Sequence, residues 1–137
     1  MTNFIKKQQY NVPAAEVWGL VGDFHTVETW MPGIADVVGD DAAQTRTISM
    51  HDGGKLVERL LEQGTRFHHY RFDDPGPVPV RDFTARLTVI ESGPQQSAIE
   101  WTASFEPAPG VSEEDAVAAI GGFYQACLDK VAVVLSA

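Results

Sequence analysis

Cysteine is almost absent from this chain. The single thiol in 137 residues, Cys127, has no partner for an intramolecular disulfide, so a packed core must hold the fold. Basic residues are scarce as well: ten Lys and Arg stand against nineteen Asp and Glu, for a net charge of -9, and they are scattered from Lys6 to Lys130 without a cluster. A surface that tracks phosphates needs such a cluster, so no nucleic-acid partner is expected. No run approaches the ~20 apolar residues of a membrane span, and no apolar stretch follows the charges of the opening Met1-Thr2-Asn3-Phe4-Ile5-Lys6-Lys7. The expectation is a soluble, cytoplasmic protein. Gly-x-Ser-x-Gly, a Gly-rich phosphate loop and a Cys with a nearby His are all missing, which leaves hydrolase and nucleotide chemistry without support.

What is present suffices for one domain across residues 1–137, since 44% hydrophobic composition can bury a core of its own. The segment from 112 to 135 is the longest periodic one. On a helical wheel counted from Val117, the residues Ile120, Gly121, Tyr124, Cys127, Leu128, Val131, Val134 and Leu135 share a broad apolar face. Pro109-Gly110 breaks the preceding strand, Ser112 is an N-cap, Glu113, Glu114 and Asp115 suit the positive end of the helix dipole, and Lys130 suits the other end. At about 1.5 Å per residue such a helix is roughly 36 Å long, enough to cross a small sheet.

Before it the chain reads mostly as strands. Residues 2–10 form the first, Pro13 opens a short helix to about Leu20, Gly22 ends it, and Asp23 caps a second short helix through Trp30, closed by Pro32-Gly33. From Ile34 the period changes to two, giving strands at 34–38, 45–50, 56–61, 66–72, 80–90 and 97–105. Turn residues separate them at spacings that demand antiparallel neighbours. Alternation turns Ile99, Trp101, Ala103 and Phe105 towards the helix, as it does Phe83, Ala85, Leu87 and Val89. The same parity turns Arg46, Glu58 and His68 inward.

The order of these elements, with Val12-Pro13-Ala14-Ala15-Glu16-Val17-Trp18, Asp23-Phe24, Trp30-Met31-Pro32-Gly33-Ile34, Arg46, Glu58-Arg59-Leu60, Trp101 and Phe105-Glu106-Pro107, resembles the START-like (SRPBCC) superfamily, in particular its polyketide cyclase/dehydrase and lipid-transport branch. The resemblance implies an α+β helix-grip fold: a curved, seven-stranded antiparallel sheet wrapped around the C-terminal helix, two short helices after the first strand, and a ligand cavity between sheet and helix. It does not imply one chemistry, because that architecture serves carriers, receptors, cyclases and chaperone cofactors.

Arg46 and Glu58 fall on strands paired through the Asp52-Gly53 turn, side by side or one step diagonal. They form either an ion pair that orients the sheet or an anchor for a ligand's carboxylate or carbonyl. His68 and His69 are adjacent on a strand and point to opposite faces, which excludes a two-histidine metal site. His68 is a half-buried polar residue or a general base. His25 and Glu28, three apart on the expected second helix, are too few for a metal site and read as surface or cavity rim. No metal or cofactor is expected. Gly121-Gly122 in mid-helix costs roughly 1 kcal/mol per glycine, which close approach to the sheet or room for a ligand would explain.

Trp30, Met31, Phe72, Phe83, Trp101, Phe105, Phe123 and Tyr124 make an aromatic-rich set from which a cavity could be built. The expected ligand-contacting residues are Trp30, Met31, Arg46, Glu58, His68, Tyr70, Phe83, Trp101, Phe105 and Tyr124. The leading reading is a protein that encloses a small, mostly apolar, polyketide-, lipid- or aromatic-like molecule. The alternative is a metal-free cyclase or dehydratase with Arg46 holding an oxyanion and His68, Glu58 or Tyr124 moving protons. A third is a protein-binding module of the chaperone-activating kind, which wants an exposed apolar patch. The sequence is also compatible with a homodimer.

Overall fold

A computed structural model describes residues 1–136. Seven strands, β1 (Thr2–Tyr10), β2 (Ile34–Asp40), β3 (Thr45–Met50), β4 (Lys55–Gln63), β5 (Phe67–Asp74), β6 (Val80–Gly93) and β7 (Gln96–Pro107), form one antiparallel sheet in the order β1-β7-β6-β5-β4-β3-β2. From β2 onward each strand pairs with the next in the chain, because every connection is a short turn. The exception is β1, which pairs with β7 and so lies at the edge opposite β2. The segment between β1 and β2 must therefore cross the whole width of the sheet. It does so with one helix, α1 (Ala14–Val21), packed on β6 and β7.

The expected second helix does not form. Residues 23 to 30 hold only a single 3₁₀ turn, Val27–Thr29. The Asp23 carboxylate accepts from the His25 backbone N–H at 2.9 Å, a local turn that competes with helix, and β-branched Thr26, Val27 and Thr29 add little helical preference.

The long helix α2 (Glu113–Leu135) is capped by Ser112, whose side chain accepts from the Asp115 N–H at 3.0 Å. It buries Ala116, Ile120, Tyr124, Cys127, Leu128 and Val131 against the concave face of the sheet; of the stripe that spacing predicts, Gly121, Val134 and Leu135 are only half-buried, and Ala116 is added. By length and hydropathy alone this helix could cross a membrane, but that buried stripe gives it the place of a core helix. Lys130 falls short of the last turn; its Nζ donates long hydrogen bonds to the Glu28 and Met31 carbonyls, at 3.5 and 3.4 Å, tying α2 to the crossing segment. The Tyr10 hydroxyl donates to the Leu128 carbonyl at 2.9 Å and ties α2 to β1.

Bulges bend the sheet around the helix, and one resets the parity of β6. Val80 and Phe83 are both buried although an odd number of steps separates them, because Asp82 takes a left-handed φ of 53° and lets Arg81 and Asp82 both face out. An aspartate tolerates this conformation better than most residues.

The two mid-helix glycines differ. A Cβ on Gly121 would stand 3.3 Å from the Phe4 ring, so this position needs close approach to β1. A Cβ on Gly122 would meet nothing within 4 Å, and the residue is exposed. Gly122→Ala should therefore raise unfolding stability by about 1 kcal/mol, and Gly121→Ala should gain less or lose, since Phe4 must yield. Urea unfolding of both variants checks the contrast.

Candidate functional site

Strands β3 and β4 pair through the Asp52-Gly53-Gly54 turn, in which Gly53 adopts a φ of 92°, and the register sets Arg46 directly opposite Glu58. Both side chains are buried on the concave side. Arg46 Nε donates to Glu58 Oε1 at 2.8 Å, and Arg46 Nη1 donates to the Phe24 carbonyl at 2.6 Å. The guanidinium lies 3.9 Å above the centroid of the Phe24 ring. The arginine thus joins the sheet to the crossing segment.

His68 lies next to this pair, its ring between Trp18, Phe24 and Tyr70 at centroid distances of 5.9, 5.9 and 5.8 Å. It is 1% exposed, and neither ring nitrogen has a hydrogen-bond partner. Tyr70 and Phe83 continue the inner face, where the Tyr70 hydroxyl accepts from Trp101 Nε1 at 3.0 Å. Trp101 stacks flat on Tyr124 of α2, with centroids 3.7 Å apart and planes at 6°, and Trp30 packs on Trp101 with centroids 5.7 Å apart. The Tyr124 hydroxyl is buried beside the Tyr70 hydroxyl, near enough for each to shift the other, but the two do not meet in hydrogen-bonding geometry.

Between this wall and α2 lies a cavity of about 180 Å³. Its inner surface is Met31, Ile48, Leu56, Glu58, Tyr70, Phe83, Ile120 and Tyr124, with Met50, Phe72, Val78 and Phe123 further out. Exposed Asp52, Pro77 and Ala119 also line it, so the space opens between the β3–β4 turn, the β5–β6 loop and the outer flank of α2. Close contacts build that rim: a Cβ on Gly54 would stand 2.9 Å from the Pro77 ring, and Gly76, at a φ of 54°, lies against the Lys55 carbonyl with no room for a side chain.

Of the ten residues that the sequence suggests for ligand contact, Met31, Glu58, Tyr70, Phe83 and Tyr124 line this cavity. Trp30, Arg46, His68, Trp101 and Phe105 do not; they are buried in the layer that supports it. Alternation turns Ile48, Met50, Leu56 and Phe72 inward, and the helical wheel does the same for Ile120, but none of them stood out as ligand-contacting. Phe123 was legible only as a member of an aromatic set, Pro77 only as turn chemistry, and Val78, Pro79 and Ala119 carried no signal. The signal that could have found the rim is the convergence of two Gly-containing turns, Asp52-Gly53-Gly54 and Pro75-Gly76-Pro77, at one end of the same hairpin stack.

Burial governs the electrostatics. It raises the Glu58 carboxyl above the usual carboxylate range, although the Arg46 charge and hydrogen bond pull it down. Burial likewise lifts the Tyr70 and Tyr124 hydroxyls; after burial the Glu58 charge lifts Tyr70, and the neighbouring Tyr70 hydroxyl and then Glu58 lift Tyr124. The His68 imidazole is pushed down to about 3, first by burial and then by Arg46. A neutral, unpartnered imidazole outside the cavity has no proton chemistry to offer there near neutral pH. The groups that face the cavity and can exchange hydrogen bonds or protons are Glu58, Tyr70 and Tyr124.

The remaining candidates fall elsewhere. His69 points to the opposite face from His68 and is half-buried. His25 meets Asp41 at 3.3 Å across the end of β2, away from the cavity and from any helix shared with Glu28. Cys127 is fully buried on α2, where burial pushes its thiol up. No cluster of three or more metal-ligating side chains occurs among the described residues.

The profile of the polyketide cyclase / dehydrase and lipid transport family matches residues 1–136. Among solved structures, an uncharacterized protein from Bacillus thuringiensis superposes with a TM-score of 0.92 at 24% identity, covering 99% of this chain and 100% of its own. XoxI from Bacillus cereus gives 0.89 at 25% identity, covering 96% and 93%. The Zhui aromatase/cyclase from Streptomyces sp. R1128 gives 0.72 at 11% identity, covering 97% and 90%, a likeness of fold alone. No curated protein sequence matches the chain.

The depressed His68 has a measurable consequence. Below its ordinary value of 6.5 the unfolded chain takes up a proton that the folded chain refuses until about 3. Folding stability must therefore fall with acidification across that window, by up to about 1.4 kcal/mol per pH unit from this residue. His68→Leu removes the proton and both unpartnered nitrogens at similar volume. It should leave stability at neutral pH unchanged or higher, and its advantage over the parent should grow by roughly 2 kcal/mol or more between about pH 6 and pH 4. Urea unfolding across pH measures this; a constant difference would mean that His68 is protonated in the fold.

Proposed function

Because the chain belongs to the polyketide cyclase / dehydrase and lipid transport family, we propose that it binds a small, mostly apolar molecule in the cavity between sheet and α2. The observation that carries the reading is the cavity itself: about 180 Å³, apolar walls, three polar groups gathered on its inner side, and an opening at the Asp52, Pro77 and Ala119 rim. Pockets that hold small molecules combine these features. The chain acts in this reading as a binder in the cytoplasm. The buried stripe of α2 packs in the core, as in a helix that belongs to the domain's own interior.

A cyclase or dehydratase on the same cavity would have to work without the division of labour expected from the sequence, since Arg46 and His68 lie outside the lining. Glu58 and Tyr124 would remain as acid and base. The protein-binding alternative finds little support, because the exposed large apolar side chains are few and spread over four elements: Met1 and Ile5 at β1, Val38 on β2, Leu61 on β4 and Val133 on α2.

A rim plug tests the binding reading. A panel of one-ring, two-ring and three-ring phenols, para-ethylbenzene derivatives and octanoate is screened by thermal shift, and hits are measured by calorimetry. At least one probe should stabilise the parent, and Ala119→Trp, at an exposed site, should weaken it about tenfold or more without lowering the melting temperature. Bound probe should be recovered chemically unchanged. Binding that ignores the plug would sink the proposal, and conversion of the probe that Glu58→Gln abolishes would replace it with the catalytic alternative.

A further inference from the structure

The cavity is small and its polar groups are of a particular kind. An apolar interior space of ~150 Å³ takes up benzene. At about 180 Å³ this one can enclose one ring with a short substituent, whereas fused rings or a long acyl chain would have to protrude through its mouth. Its flat aromatic walls suit a ring: Phe72 and Phe83 stack at 4.1 Å and 14°, and Tyr124 is held face-on by Trp101.

The inner side holds one hydrogen-bond requirement left unmet. Tyr124 is 2% exposed and lines the cavity, and its hydroxyl lies beside that of Tyr70 without the geometry of a hydrogen bond, while Tyr70 is already engaged by the Trp101 indole N–H. A buried hydroxyl without a partner is costly, and a ligand that supplies one recovers that cost on binding. Glu58 lines the same wall, with its bond from Arg46 made through Oε1. Arg46 is outside the lining and already engaged by Glu58 and the Phe24 carbonyl, so no free cation waits for an anionic ligand. A ligand carboxylate would enter a low-dielectric space beside a carboxyl group, with another carboxylate, Asp52, at the mouth. A ligand amine would meet a carboxyl group already paired with a guanidinium. A neutral hydroxyl has neither difficulty: it accepts from Tyr124 and donates to Glu58.

We propose that the ligand is a neutral single-ring phenol or a compact alcohol of similar size, seated with its hydroxyl inward between Tyr124 and Glu58 and its substituent towards the Asp52 and Ala119 rim. This specificity rests on the binding reading above and narrows it.

The test uses matched probes on the parent protein by calorimetry. Para-ethylphenol should bind about fivefold or more tighter than ethylbenzene, and about tenfold or more tighter than para-ethylbenzoate and than a three-ring phenol. Tyr124→Phe, which removes only the unpartnered hydroxyl, should erase the advantage of para-ethylphenol over ethylbenzene while ethylbenzene keeps its affinity within about twofold. Should that variant fold poorly, the four-probe ranking on the parent decides by itself. Plug-sensitive binding of the benzoate, of octanoate or of the three-ring phenol as tight as that of para-ethylphenol overturns the proposal and leaves the cavity-binding function standing. An advantage of para-ethylphenol that survives Tyr124→Phe overturns it as well. If no probe binds in a plug-sensitive way, both fall.

Discussion

The Arg46–Glu58 pair is the constraint on which the rest of this interior depends. Two buried charges are tolerated only if each satisfies the other, and removing one partner of such a pair typically costs about 3–5 kcal/mol. Here the geometry is over-determined. The register of β3 on β4 sets the two side by side, the Phe24 carbonyl fixes a second guanidinium nitrogen, and the Phe24 ring covers the cation. The crossing segment must therefore run where it does, over β3 and β4 rather than away from them. That in turn closes His68 off from solvent between Trp18, Phe24 and Tyr70. One ion pair thus sets the position of a loop, the neutrality of a histidine and the polarity of a cavity wall.

Much of this was legible before any coordinates. The Asp52-Gly53 turn fixed which strands pair, and alternation from that turn put Arg46, Glu58 and His68 on the inner face, where they are found at 1%, 3% and 1% exposure. Parity reads well because one residue of slip would move a whole strand's apolar set into water. It reads badly across a bulge: nothing in Val80-Arg81-Asp82-Phe83 announces that Asp82 leaves the β region, and only the burial of both Val80 and Phe83 reveals it. The missing second helix is an error of the same kind. Asp23 has a side chain suited to capping a helix and equally suited to a tight turn, and here the turn won.

The cavity was less legible than the core around it, for a physical reason. Core and cavity walls are made of the same side chains, and sequence sees composition rather than whether facing surfaces meet. Trp101 and Phe83 share an inward parity, yet Trp101 is sealed by Tyr124 while Phe83 borders open space. What decides between them is the height of α2 above each strand. Close to β1, Gly121 lets the helix backbone approach Phe4, and the Tyr10 hydroxyl grips the Leu128 carbonyl. Towards β3 and β4 no comparable contact draws the helix down. The pairing of β4 with β5 shifts register twice there, and the space left under α2 is the cavity.

That asymmetry bears on why Tyr124 is a tyrosine. Its ring would stack on Trp101 equally well as phenylalanine, and the fold gives its hydroxyl no partner. Nearly all buried polar atoms in proteins are paired, and one that is not lowers stability without adding to the packing around it. The neighbouring Tyr70, which lines the same cavity, has its hydroxyl engaged by the Trp101 indole N–H. Tyr124 borders that space from α2, the element that divides sealed core from cavity. Departures from local consistency gather where a chain serves something besides its own folding. An unmet hydroxyl facing an apolar cavity is such a departure, and the molecule that completes it must bring the missing hydrogen bond with it.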